Sequence, residues 1–66
     1  MATVSTYQIL DDYNSLSCSE KLSVMSSALD YMESYNGRSR ITCICLAMGY
    51  RNETGDSNDW YKESEN

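Results

Sequence analysis

The sequence predicts an all-α fold: a small three-helix bundle with an acidic, largely irregular C-terminal tail. Three observations carry that expectation. Two capping boxes, Ser5-Thr6-Tyr7-Gln8 and Ser17-Cys18-Ser19-Glu20, each stand directly before an apolar-periodic run. The longest run, Cys18, Leu22, Met25, Leu29 and Met32, steps by four and three, which is helical spacing. Outside one ambiguous segment, no stretch reads as a β-strand. The expected organisation is a helical domain over 1–50 and an acidic tail over 51–66, within a length of 66 residues that suits one domain.

The first helix is expected over 6–15. The Ser5 hydroxyl can accept from the Gln8 amide while Gln8 reaches back, and Val4 and Ile9 have staple spacing. Ile9, Tyr13 and Leu16 follow at steps of four and three, with Leu10 beside them. The second helix is expected over 18–35. Its main stripe is joined by a second one, Val24, Ala28, Tyr31 and Tyr35, so the apolar face is wide. Ser19, Ser23, Ser26, Ser27, Asp30, Glu33 and Ser34 form the opposite face. Asn36-Gly37 supplies residues that tolerate the left-handed C-cap conformation.

The third element, "RITCICLAMGY", is uncharged from Ile41 to Tyr50 and rich in β-branched residues, so periodicity alone does not separate helix from strand. Ser39 as N-cap, the helix-forming Leu46-Ala47-Met48, and the lack of any partner strand favour a helix over 40–50. The expected core is Ile9, Leu10, Tyr13, Leu16, Leu22, Met25, Leu29, Met32, Ile41, Ile44, Cys45 and Met48. Two stripes on the second helix exceed what two short neighbours can cover, so a partner protein or a second copy is expected on the surplus.

Composition narrows the function classes. The net charge is −5, yet residues 37–51 carry Arg38, Arg40 and Arg51 and no acid, a local +3. An acidic chain repels nucleic acid and membrane surfaces, except through that basic island. "MATVSTYQIL" has no basic n-region and no long apolar run, so no signal peptide is expected there. With no membrane span, and with three cysteines that cannot all pair, a cytoplasmic protein with reduced thiols is expected. Asn52-Glu53-Thr54 fits a glycosylation sequon but has no secretory context, and reads as chance.

Neither a metal site nor a catalytic centre is expected. Histidine is absent, and Cys43-x-Cys45 on a helix would point its thiols about 200° apart. A nucleophilic cysteine would lack a histidine base, adjacent acids such as Asp11-Asp12 suit a solvated face, and no phosphate loop is present. No cofactor is implied. A helix-turn-helix alternative can be laid on the chain with Cys45 as the small residue, Gly49 as the turn glycine, and Ile44, Met48 and Tyr50 around them. Its second helix would place Gly55 and Asn58 at apolar positions and carry Glu53, Asp56 and Asp59 toward phosphate, the wrong sign for DNA.

The aromatic set is six tyrosines and one tryptophan with no phenylalanine, so each ring has a polar tip suited to half-wet interface positions. The expected role is therefore a protein-binding inhibitor, adaptor or regulator of a host or cognate protein. Small acidic single domains of this kind recur among virus- and mobile-element-encoded inhibitors of host enzymes. Two modes are open: mimicry of nucleic-acid phosphate by Asp11, Asp12, Asp30, Glu33 and the tail, or direct apolar docking. A self-assembling helical protein is a further alternative. The candidate partner-binding residues are Trp60, Tyr61, Tyr31, Tyr35, Asp30, Glu33, Arg38 and Arg40. Trp60 and Tyr61 either fold back on the bundle or anchor a partner. Arg38 and Arg40 either neutralise the acids ending the second helix or mark the end that meets an acidic partner.

Overall fold

A computed structural model describes residues 2–34 and 37–62 of the chain. They form three helices and a small two-stranded sheet: α1 Thr6–Asn14, α2 Cys18–Ser34, α3 Arg40–Ala47, β1 Tyr50–Arg51 and β2 Tyr61–Lys62. The chain is mostly helical. α3 is the central helix, packing against α2 and also against α1.

Both capping boxes form. Gln8 N–H donates to Ser5 Oγ at 3.2 Å, and Ser5 N–H donates to Gln8 Oε1 at 3.0 Å. Glu20 N–H donates to Ser17 Oγ at 3.2 Å, and Ser17 N–H donates to Glu20 Oε1 at 3.1 Å. Ser39 caps α3 by accepting from Thr42 N–H at 3.1 Å. Each cap satisfies amide donors that the first helical turn leaves without an intrahelical acceptor.

The expected third helix over 40–50 stops early. α3 ends at Ala47 with Met48 as C-cap, and Gly49 takes φ +97°, a conformation that side chains with a Cβ rarely adopt. The chain reverses there, and Tyr50 begins a strand. β1 pairs antiparallel with β2 in the register Tyr50 with Lys62 and Arg51 with Tyr61. The absence of β-structure expected from the sequence is thereby corrected. Residues of this length carry no alternation to read, and a two-residue strand is defined only by its partner. No helix follows Gly49 among the described residues, so the helix-turn-helix geometry is not formed there.

The expected irregular tail needs the larger correction, since residues 51–62 return to the core. Val4 and Trp60 form an isolated antiparallel bridge, with Val4 N–H donating to Trp60 O at 2.8 Å and Trp60 N–H donating to Val4 O at 3.1 Å. Thr6 N–H donates to Ser57 O at 2.8 Å. Inside the connection, Asn52 Oδ1 accepts from the Gly55 amide at 2.8 Å and from the Thr54 amide at 3.1 Å. Its Nδ2 donates to Asp56 O at 2.6 Å. Thr54 Oγ1 donates to Asp59 Oδ2 at 2.8 Å, and Asp56 Oδ1 accepts from Asn58 N–H at 2.8 Å. Short polar side chains bonding nearby backbone are how Asn, Asp and Thr build turns. The polar composition that reads as a tail is the bonding of an ordered loop.

The core cluster is Ile9, Cys45, Leu46, Tyr50 and Trp60, flanked by Val4, Tyr31 and Met48. Ala28 and Cys43 are also fully buried. Of the expected core, Ile9 and Cys45 are buried, while Leu10, Tyr13, Leu16, Met32, Ile44 and Met48 are half-buried. Leu22, Met25, Leu29 and Ile41 are exposed. The two stripes of α2 therefore exchange roles: Val24, Ala28 and Tyr31 turn inward and the longer Leu/Met stripe turns to solvent. A small residue at the buried position lets two helix axes approach closely, which a leucine there would prevent.

Candidate partner-binding surfaces

Two features of the surface stand apart from ordinary solvated residues. The first is an apolar ridge. Leu22 is 67% exposed, Leu29 54%, Ile41 47% and Met25 37%. The three α2 residues share one helix face by their spacing of three and four. Cys18 continues this face as an exposed residue at the helix start, and Met32 continues it as a half-buried one at the other end. Ile41, in the first turn of α3, is a further exposed apolar side chain. The three α2 side chains expose on the order of 300 Å² together, the size at which a monomer's largest apolar patch is often functional. Burying it would release roughly 25 cal/mol per Å², a gain that water denies to the free chain. On α2, Glu33 lies one helical turn beyond Leu29, and Asp30 lies on the neighbouring polar side, both exposed.

The second feature is a cleft of about 530 Å³ between α2, the start of α3 and the returning loop, with Tyr31, Arg38, Thr42, Arg51, Trp60 and Tyr61 in its lining. The Arg51 guanidinium is oriented by its own strand and by α2: Nη1 donates to Tyr50 O at 2.8 Å, and Nη2 donates to Tyr31 Oη at 3.4 Å. Across the lining, Tyr61 Oη donates to Glu53 Oε2 at 3.0 Å. Thr42 Oγ1 accepts from Ser39 Oγ at 2.9 Å, which leaves its own hydroxyl proton to donate elsewhere.

The thiols divide by environment. Cys43 and Cys45 are fully buried and Cys18 is exposed. Burial pushes the Cys45 thiol from 9.0 up to about 11, so it stays protonated at neutral pH and behaves as a small core side chain. The Tyr50 phenol is raised as well, by its burial and by the nearby Asp12 and Cys45.

The residues marked out from sequence separate into three groups. Tyr31, Arg38, Trp60 and Tyr61 come together at the cleft. Asp30, Glu33 and Arg40 are exposed and do not line it. Tyr35 lies outside the described residues. Trp60 takes the folded-back alternative: it is only 5% exposed, and its Nε1–H donates to Thr6 Oγ1 at 2.9 Å. An indole buried with its N–H satisfied is a core anchor. Sequence reasoning did not mark Arg51 or Thr42 as binding surface, whereas it did expect a partner or a second copy on the surplus apolar stripe of α2. For the ridge the signal was present, since two apolar stripes on one helix leave one without cover. For Arg51 no local signal exists, because it joins the cleft through the strand that pairs it with Tyr61, whereas Thr42 stands only four residues from Arg38. Compared with protein-family models, curated proteins and solved structures, the chain matches none.

Proposed function

We propose that this chain is a small acidic protein-binding module that acts as an inhibitor, adaptor or regulator of a larger cytoplasmic protein, by occlusion rather than by chemistry. In this reading the three helices form a bundle whose purpose is to hold one apolar face outward. The observation that supports it is the ridge of Leu22, Met25 and Leu29, large side chains left in water on the helix that carries the longest apolar stripe. The partner that fits is a protein with an apolar groove and a basic rim. Two copies at −5 each repel one another, while Asp30 and Glu33 beside the ridge attract cationic side chains.

The test compares the full chain with a Leu22→Gln, Leu29→Gln double variant, which keeps charge and helix propensity. Affinity capture from the source cells, followed by reconstitution of the purified pair, is expected to give a one-to-one complex with the wild-type chain and none with the variant. Equal capture by both chains, no captured protein, or only a dimer of the chain in sedimentation would each overturn the reading.

A further inference from the structure

We propose that the cleft between α2, α3 and the returning loop binds a small anion through its oxyanion group, a phosphate or a carboxylate. This site is separate from the apolar ridge and does not depend on it.

Three observations carry the assignment. The first is charge. The chain has ten acidic residues against five basic ones, yet two of its three arginines, Arg38 and Arg51, line one cleft from separate parts of the chain. Guanidinium groups are the side chains that match planar carboxylate and phosphate oxygens with paired N–H donors. The second is orientation. The Arg51 head is held by the Tyr50 carbonyl and the Tyr31 hydroxyl, so little of its freedom is left to lose on binding. The third is the remaining lining. Thr42, in the first turn of α3, keeps a hydroxyl proton to donate, and Tyr31 and Tyr61 complete the lining with their hydroxyls bonded to Arg51 and Glu53. A volume of about 530 Å³ is within the range that holds a nucleotide-sized or smaller ligand. Glu53, also in the lining and bonded to Tyr61, sets a limit on affinity by repelling the anion.

The chain's single tryptophan lies in this lining and makes the test direct. Trp60 fluorescence of the full chain would be titrated at low salt with inorganic phosphate, adenosine monophosphate and succinate. A saturable change with phosphate and nucleotide alone assigns a phosphate site, and one with succinate alone assigns a carboxylate site. Arg38→Gln and Arg51→Gln are each expected to weaken binding by about tenfold or more, the loss of one charge-assisted contact. Glu53→Gln is expected to tighten it. Arg40→Gln, whose side chain does not line the cleft, is expected to leave it unchanged. Circular dichroism of each variant separates loss of binding from loss of fold, and the exposed Arg38 serves if Arg51→Gln does not fold. No saturable change with any of the three probes into the millimolar range overturns the assignment. So does an equal effect of Arg40→Gln, which would make the attraction a property of surface charge rather than of the cleft.

Discussion

The loop after Gly49 and the outer face of α2 are opposites in composition and in fate. Residues 52–59, "NETGDSND", have no apolar side chain, yet they are bonded into an ordered connection that delivers Trp60 to the core. The outer face of α2 carries Leu22, Met25 and Leu29 at helical spacing, yet it stays in water. The difference teaches that burial follows from what a segment can reach. α3 can cover one stripe of α2, and the stripe with Ala28 allows the closer approach. The loop has no apolar area of its own, but its side chains close a turn at the right length to return an indole. Both outcomes leave the same small core with one tryptophan as its largest member.

The comparison breaks most readily at Trp60. Trp60→Ala is expected to cost about 3–5 kcal/mol, the range for truncating a buried aromatic. A domain of this size has roughly 3–10 kcal/mol of stability in total, so the variant is expected to lose most of its cooperative urea transition at 25 °C. A midpoint unchanged from wild type would return residues 51–62 to the status of a tail. Alkaline titration gives the next largest effect and probes the same core. Because the Cys45 thiol is raised from 9.0 to about 11, the unfolded chain gives up this proton first as pH climbs. The stability contributed by the neutral thiol is full below pH 9 and is lost as pH rises toward 11, by about 2–3 kcal/mol. The Tyr50 shift acts in the same direction. Chemical denaturation across that range is expected to show the fall in wild type and a shallower fall in Cys45→Ala.

The smallest expected effect lies on the other side of the comparison. Leu22→Gln and Leu29→Gln remove two leucines from the ridge and are each expected to change stability by no more than about 0.5 kcal/mol. Thermal melts of the double variant within a few degrees of wild type sharpen the contrast with Trp60. A large loss would mean that the ridge supports the monomer, and it would remove the main support for a docking role.

The starts of all three helices were legible in the sequence because each rests on a contact within three residues. Ser5, Ser17 and Ser39 bond to amides of the turn they begin, and no distant residue is needed. The end of α3 was legible only in part. Gly49 marks a place where the chain turns, but the strand that follows exists because Lys62 and Tyr61 lie beside Tyr50 and Arg51. The candidate site was legible by residue type more than by place. Arginines and tyrosines were singled out, and four of the eight marked residues meet at one cleft. Their grouping required the bridge between Val4 and Trp60 and the pairing of β1 with β2, contacts between residues far apart in the chain.

What the sequence determined by itself is thus local: where each helix begins, that α2 carries more apolar surface than its neighbours can hide, and that two thiols two residues apart cannot meet on α3. These follow from hydrogen bonds and angles set within one or two helical turns. The tertiary structure decided which stripe of α2 is hidden, whether Trp60 is core or surface, and which arginines share a cleft. Those outcomes depend on helix-axis separation and on pairing between chain ends, and both are settled by packing the whole chain at once.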